Sequence, residues 1–233
     1  MRFQDLNWKD VESYLEHDHR VILVLGATEQ HAYLSLMTDI LIPSKIALAA
    51  AEREHVLIAP PLNFGVSGMF AEFPGTIALS TETFEAVVYE MIETLMHQGF
   101  DKFFVLNGHS GNKFPARVQD LQDEGLIELD WYDWWRESVV KQFETEIGMT
   151  IDHANWGENF PFSRVSDLPA EVRSTTKPRI NLELMDAGNG IREIAGDGNF
   201  GGAYQADDTL MNQLFWRVVE DVERRLQALN KDE

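Results

Sequence analysis

Three hydrophobic runs in the first half of the chain have the pattern of buried strands. They occupy residues 21–25, 56–59 and 102–106, and β-branched or aromatic residues follow one another in them without polar alternation. Such runs are typical of strands that are covered on both faces, as in a parallel sheet. We therefore predict a short buried strand at each of these three positions.

Helical periodicity separates the predicted strands. Residues 43–54 favour a helix that begins with its proline, a residue that suits the first turn. Between residues 84 and 95, apolar side chains recur at the spacing of one helix face; Ser80 or Thr81 can cap the start, and Gly99 can close the end. A last amphipathic helix is predicted from its apolar residues, Leu210, Leu214, Val218, Val222 and Leu226.

This order of elements predicts an α/β fold. We expect one domain over residues 1–233, with a mostly parallel sheet flanked by helices and right-handed crossover connections. Residues 126–173 are rich in aromatic side chains and receive no assigned strand, and residues 196–202 form a loop by composition. Ligands of such sheets bind at the carboxyl ends of the strands.

Polar residues gather where two of the predicted strands end. Glu29 and His31 follow the first strand, Asp39 comes shortly after, and His109 follows the third strand. Glu29 and His31 point the same way if the segment is extended. Imidazole and carboxylate groups suit Zn, Mn or Fe(II). Each side chain alone is typical of a solvated loop, but together they predict one metal with an open position or two metals that share a carboxylate.

Another histidine lies among acidic residues at positions 152–158. His153 is either a proton donor or base, because the imidazole pKa lies near neutrality, or a surface histidine among polar neighbours. The residues alone favour the surface position. The remaining histidines lack converging partners and are predicted to be surface residues: His17, His19, His55 and His97.

Composition narrows the partners and the ligand chemistry. Thirty-nine Asp and Glu residues against nineteen Lys and Arg residues give a net charge of −20, which argues against nucleic acid or an anionic membrane as a partner. The absence of cysteine excludes thiolate ligands, disulfides and cysteine nucleophiles. No stretch has the pattern of a signal region or a membrane span, so we expect a cytoplasmic location.

Two common catalytic motifs are absent from the sequence. No glycine-rich loop ends in Gly-Lys-Ser or Gly-Lys-Thr, and there is no Gly-x-Ser-x-Gly elbow. Ser110 lies beside the candidate ligand His109 without such an elbow. A serine nucleophile therefore ranks below metal binding.

In combination, these clusters resemble the creatininase (creatinine amidohydrolase) family. The resemblance runs from about residue 21 to about residue 161 and rests on ordered motifs: residues 26–31 (GATEQH), 38–39 (TD), 73–76 (FPGT), 107–112 (NGHSGN), and His153-Ala154 with Glu158. Several motifs in order are far more specific than any one of them. The resemblance implies an α/β sandwich and a metal-dependent hydrolase of C–N bonds in cyclic amides, formamides or related groups, often assembled as a hexamer.

The resemblance also implies roles for individual residues. Four side chains correspond to metal ligands, with Asp39 as the bridge between two divalent cations (Zn, Mn or Fe): Glu29, His31, Asp39 and His109. Glu158 corresponds to a further ligand or to a catalytic partner of the metal-bound water. His153 corresponds to the catalytic acid that protonates the leaving nitrogen.

The chain departs from the family pattern around the substrate. Ala32 and Asn155 stand where the family has Gly, and Asn159 and Phe160 replace a Thr-Ser pair. Gly111 stands where creatinine-cleaving members carry Glu, which makes creatinine an unfavourable substrate. The residues that correspond to metal ligands are thus all present, whereas several residues that correspond to substrate-facing positions differ from the family pattern.

The sequence leaves three functional hypotheses open. The first is an oligomeric metal-dependent amidohydrolase acting on a small-molecule amide, with Trp156 and Phe160 as aromatic walls. The alternative is a catalytically silent relative that binds a small metabolite or serves as an assembly subunit. A third is the deformylation of a phosphorylated nucleotide precursor, for which the sequence offers only scattered basic residues: Lys45, Lys113, Arg117, Arg164 and Arg173.

Overall fold

A four-stranded parallel sheet forms the centre of the molecule. The computed structural model describes residues 1–186 and 190–230, so residues 187–189 and 231–233 of the predicted domain lie outside the described part. The sheet strands are β1 (Arg20–Leu25), β2 (Leu57–Ile58), β3 (Lys102–Asn107) and β4 (Glu128–Asp133). Their spatial order is β2-β1-β3-β4, and each neighbouring pair is parallel. The prediction of an α/β fold with a mostly parallel sheet is confirmed.

Helices and a small second sheet complete the described part of the chain. The α-helices are α1 (Trp8–Leu15), α2 (Thr38–Glu54), α3 (Thr81–Gln98), α4 (Ala116–Asp123), α5 (Ser138–Ile147), α6 (Ala170–Arg173), α7 (Glu183–Asp186), α8 (Ile191–Ala195) and α9 (Asp208–Leu229). Two short antiparallel strands, β5 (Thr176–Lys177) and β6 (Gly202–Ala203), pair with each other. Within the described ranges, no helix combines the length and apolarity needed to cross a membrane.

Both faces of the central sheet are covered by apolar side chains. On one face, Ile22 and Val24 of β1 belong to a buried cluster that includes residues of α2 and α9. On the other face, Val21 and Leu23 lie in a cluster with residues of α3 and α4. The burial of alternate side chains on opposite faces explains why this strand reads as a continuous apolar run.

The edge strand β4 was not assigned from the sequence. Its residues alternate between exposed or half-buried positions and buried positions such as Leu129 and Tyr132. A strand at the edge of a sheet is partly exposed and keeps polar residues at its exposed positions. Its sequence therefore lacks the continuous apolar run that identifies the inner strands. The aromatic residues of this segment were the signal that could have located it.

Helix α2 begins earlier than predicted, at Thr38 rather than at Pro43. Pro43 lies inside the helix, where its missing N–H removes the hydrogen bond to the carbonyl of Asp39. The backbone of Asp39 packs so closely against Gly26 and Gly108 that a Cβ on either glycine would collide with it. The longer helix matters for function, because it places Asp39 in the first turn, against the ends of β1 and β3.

The other predicted helices are confirmed. Ser80 caps α3 by accepting a hydrogen bond from the backbone N–H of Thr83, and Gly99 closes the helix in a left-handed conformation. The last amphipathic helix is α9, and its predicted apolar residues Leu214, Val218 and Val222 are buried.

Candidate metal centre

The site begins where β1 and β3 end side by side. Leu25 pairs with Asn107, so the segments that follow these strands start next to each other. The side chain of Asn107 fixes the second segment: its Nδ2 donates to the carbonyl of His109 at 2.8 Å, and its Oδ1 accepts from the His109 N–H at 3.2 Å. The first turn of α2 closes the site from a third side with Asp39.

Five side chains converge there in two groups that share the carboxylate of Asp39, and two of them, Glu29 and His31, also form a third group with His153. Glu29, Asp39 and His109 form the first group, and His31, Asp39 and Glu158 form the second; within each group the ligand atoms lie within 4.8 Å of one another. Asp39 Oδ1 lies 2.9 Å from His31 Nε2, and Asp39 Oδ2 lies 3.0 Å from His109 Nδ1. The two oxygens of Asp39 therefore face different histidines. Sequence reasoning predicted all five residues, and the structure brings them together.

Hydrogen bonds on the far side of each ring set which nitrogen faces the group. His109 Nε2 lies 3.0 Å from the carbonyl of Val66, which leaves Nδ1 directed at Asp39 and Glu29. His31 Nδ1 lies 3.3 Å from the carbonyl of Glu29, which leaves Nε2 directed at Asp39 and Glu158. An outward N–H bound to a backbone carbonyl is the usual arrangement around a histidine that ligates a metal.

Two buried polar atoms in the described residues of the site make no well-oriented hydrogen bond, although His31 Nε2 lies 2.9 Å from Asp39 Oδ1 and Glu29 Oε2 lies 3.4 Å from His109 Nδ1. They are Glu29 Oε2 and His31 Nε2, and each points into one of the two groups. Buried polar atoms are normally paired, because desolvation without a partner is costly. Three carboxylates and two imidazoles, with inward atoms that make no well-oriented hydrogen bond, fit divalent cations such as Zn, Mn or Fe.

The electrostatics of the cluster agree with a site for positive charge. Burial alone would lower the pKa of His31, but the carboxylates of Asp39 and Glu158 raise it to about 10. Burial also opposes charge on His109, yet its contacts with Asp39 and Glu29 raise its pKa well above the usual value. Burial raises the pKa of Glu158 to about 7. Without a cation, the carboxylates thus hold protons on the neighbouring imidazoles.

His153 is buried beside these groups and is not the surface histidine that the residues alone favour. Its Nδ1 lies 3.8 Å from Glu29 Oε1. Its ring stacks on Phe70, with centroids 4.5 Å apart and planes at 15°, and also contacts Phe200. Burial and the positive charge of His31 hold the pKa of His153 well below its usual value, so the ring is neutral. The prediction that the other four histidines are exposed is confirmed.

The five converging side chains lie on the floor of a cavity of about 470 Å³ or directly beneath it. Its walls include three aromatic side chains, Phe70, Trp135 and Phe200. Trp156 and Phe160, predicted as walls, are instead buried in the core against α9, so that prediction is wrong. Tightly packed aromatic neighbours of Phe160 hold it away from the cavity.

The basic residues at the cavity also differ from the prediction. Arg136 and Arg179 line it. The residues proposed as anchors for a phosphorylated substrate lie outside the lining: Lys45, Lys113, Arg117, Arg164 and Arg173. Sequence reasoning missed Arg136, Arg179 and the wall residues Phe70 and Phe200, because they come from segments distant in sequence with no motif to mark them.

Two departures from the family pattern have a structural basis. Ala32 adopts φ +49°, a left-handed conformation that favours glycine. Gly111 packs so closely against the Val66 carbonyl and the ring of His109 that a Cβ would collide with both. A Glu side chain therefore has no room at position 111 in this conformation.

Comparison with known proteins agrees with this geometry. A profile of the creatininase family, described as creatinine amidohydrolase, matches residues 4–226. The creatinine amidohydrolase of Pseudomonas putida is 28% identical over 170 residues, which cover 64% of this chain and 65% of that protein. The mycofactocin precursor peptide peptidase of Mycobacterium ulcerans (strain Agy99) is 33% identical over 117 residues, or 45% of this chain and 46% of that protein. The matches span less than two thirds of these curated relatives.

Solved structures show the same fold over nearly the full length of the chain. A creatinine amidohydrolase (creatininase) crystal structure has a TM-score of 0.74 and 21% identity, and the likeness covers 99% of this chain and 98% of that one. A protein from Bacteroides fragilis NCTC 9343, described as a putative creatinine amidohydrolase, has a TM-score of 0.76 and 21% identity, with 100% and 97% covered. Because the family profile matches almost the whole sequence, the chain belongs to the creatininase family.

Proposed function

We propose that this chain is a divalent metal-dependent hydrolase that cleaves the C–N bond of a small amide. The observation that carries the proposal is the pair of buried donor groups that share Asp39 at the floor of a cavity. The family match supports the same conclusion. Its known relatives include both a creatinine amidohydrolase and a peptide peptidase, so the proposed class covers peptide as well as non-peptide amides.

Each donor group would hold one cation. Glu29, Asp39 and His109 would bind the first, and His31, Asp39 and Glu158 would bind the second, with Asp39 as the bridge. Solved creatininases of this fold include a manganese form and a zinc–zinc form, which supports Mn or Zn; Fe(II) suits the same ligands.

The chemistry divides between the cations and His153. When bound, divalent cations lower the pKa of a water molecule and polarise the substrate carbonyl. His153 would take up the proton that the attacking water loses and pass it to the leaving nitrogen, because the neutral ring can act as an acid only after it has become charged. The side-chain amide of Gln30 lies 2.7 Å from His153 Nε2, and its own oxygen accepts from the Ala32 N–H, so Gln30 donates to Nε2. The proton of the neutral ring is then on Nδ1, the nitrogen nearest to Glu29.

Gln30 also suits the charged form of His153. The backbone carbonyl of Gln30 lies 3.0 Å from His153 Nε2 and can accept a hydrogen bond from this nitrogen when the ring is charged. The residue can therefore hold the ring in place both before and after proton transfer.

The altered residues around the substrate argue against creatinine as the substrate. Position 111 has no room for the Glu that creatinine-cleaving members carry, so the proposed substrate is a different small amide. The alternative of a catalytically silent binding protein has no support from the site, because both donor groups are complete. The homo-oligomer, a hexamer in the family, and the cytoplasmic location remain predictions; light scattering during size-exclusion chromatography tests the first.

The proposed function is tested by metal content. Protein purified without chelator and supplied with Mn²⁺, Zn²⁺ or Fe²⁺ is expected to retain about two equivalents, as shared-carboxylate sites do. Replacement of an exposed carboxylate on α4, Asp120→Asn, is the matched control and should retain the same amount. Retention of less than about a tenth of an equivalent, with no amidase activity after addition of any of these metals, would contradict the proposal.

A further inference from the structure

Two arginine side chains stand at the mouth of the cavity, on elements far apart in sequence. Arg136 ends the short 3₁₀ helix Trp134–Arg136 that follows β4, and Arg179 follows β5. Both line the cavity above the donor groups. Their side chains are 57% and 78% exposed, so their charged ends face the solvent-filled mouth.

The backbone of Arg179 is held against the wall of the cavity. The next residue, Ile180, donates its N–H to the carbonyl of Phe200 at 2.9 Å. Gly201 packs directly against the Arg179 backbone, with no room for a Cβ between them. Phe200 also contacts the ring of His153, so the position of Arg179 is tied to the catalytic histidine of the proposed function.

Arg136 is connected to the opposite side of the floor. Its Nη1 lies 3.6 Å from Asp133 Oδ2, and Asp133 Oδ1 accepts from Asn107 Nδ2 at 2.8 Å. The same Asn107 amide donates to the carbonyl of His109. Arg136 thus belongs to the segment that positions one of the two donor groups.

Each guanidinium retains donors for a ligand. Arg179 contacts Asp152 through Nε at 3.2 Å, and among the described residues its two terminal nitrogens donate no hydrogen bond. Arg136 has only the long contact with Asp133 among the ion pairs of the described residues. Arginine offers five N–H donors in a planar fork that matches carboxylate and phosphate oxygens.

We infer that the substrate carries an anionic group, a carboxylate or a phosphate, which Arg136 and Arg179 bind at the mouth while the amide lies over the floor. This inference rests on the proposed function. In a chain with a net charge of −20, two exposed cations at one cavity favour the orientation that places an anionic group at the mouth, away from the carboxylates of the floor. The aromatic walls between mouth and floor suit a short, uncharged connecting segment.

The test compares charged and neutral probes by isothermal titration calorimetry on the Mn²⁺-loaded protein. The probes are succinic acid monohydroxamate and its neutral carboxamide counterpart, which share the same metal-binding head. The charged probe is expected to bind about tenfold more tightly, the effect of charge-assisted hydrogen bonds. The double variant R136Q/R179Q should bind both probes equally. Phosphonoacetohydroxamate, compared in the same proteins, shows whether phosphate-like oxygens are preferred over carboxylate.

Arg53→Gln is the matched control, because Arg53 is similarly exposed and paired with one carboxylate, Glu223, but lies outside the cavity lining. It should keep the full preference for charged probes. Equal binding of charged and neutral probes by the unmodified, metal-loaded protein would overturn the anion site alone. Failure to take up Mn²⁺ would instead overturn the proposed function, and the anion site with it.

Discussion

The floor and the mouth of the cavity are built in opposite ways. The floor residues Glu29, His31 and Asp39 are each no more than 3% exposed; the first two lie in the buried segment that follows β1, and Asp39 lies in the first turn of α2. The mouth residues Arg136 and Arg179 are more than half exposed and stand on short elements. Buried, closely packed positions hold reactive groups accurately, whereas exposed positions tolerate change. This difference supports the proposal that the floor binds metal and the mouth selects the substrate.

The largest expected effect comes from the shared carboxylate of the floor. Asp39→Asn keeps the shape of the side chain but removes the charge that both donor groups use. We expect it to lose most of both cations and to reduce amidase activity more than a hundredfold, since both proposed cation sites use this carboxylate. Elemental analysis after gel filtration measures the first effect. Retention of both cations by this variant would remove the reason for treating the two groups as one site.

A large effect of pH on metal affinity is also expected from the floor. The raised pKa of His31, about 10, and of His109 means that both rings carry protons at neutral pH when no cation is bound. Metal binding must displace these protons, so affinity should rise as pH increases from 6 to 8 and fall in acid. Calorimetry of Mn²⁺ binding in buffers of different ionisation enthalpy should show release of about two protons. Binding that releases none would contradict these protonation states.

An intermediate effect, on stability, is expected at position 111, where the structure leaves no room for a side chain. Gly111→Ala would place a Cβ against the Val66 carbonyl and the His109 ring, so we expect a loss of about 1–3 kcal/mol in the free energy of unfolding. Gly68→Ala is the matched control, because a Cβ there meets no neighbouring atom within 4 Å. Urea denaturation of both variants measures the difference. Equal stability of the two variants would show that the site can relax to admit a side chain.

The smallest structural effect is expected at the mouth. Arg179→Gln removes a charge that is mostly exposed, and we expect the free energy of unfolding to change by less than about 0.5 kcal/mol. Metal content should also match that of the unmodified protein. Thermal unfolding and elemental analysis check both points. A loss of cations in this variant would contradict the proposal that the mouth does not contribute to metal binding.

The sequence was sufficient to predict the inner strands and the floor, for physical reasons. Strands β1 and β3 are buried on both faces and therefore read as continuous apolar runs, and the polar residues at their ends stand out against that background. Asp39 was predicted as one of the polar residues that follow β1, but its place in the first turn of α2 was not, because the proline at position 43 favoured a later helix start. Backbone packing against Gly26 and Gly108, which fixes that turn, leaves no periodic signal.

The walls and the mouth could not be predicted in the same way. Phe70, Phe200 and Arg179 meet only after the chain returns to the site from distant segments, and aromatic residues are as common in cores as in cavities. Trp156 shows the consequence: its place in an aromatic segment beside His153 favoured a wall, but packing placed it in the core. Substrate-facing residues therefore required the three-dimensional arrangement.

The measurement that tests the central claim most directly is a crystal structure of the protein grown with Mn²⁺, with anomalous scattering recorded at the manganese edge. Two anomalous peaks are expected, one among Glu29, Asp39 and His109 and the other among His31, Asp39 and Glu158. A protein that crystallises in this fold from Mn²⁺-containing solution with no anomalous peak at these five side chains would contradict a metal site at the floor.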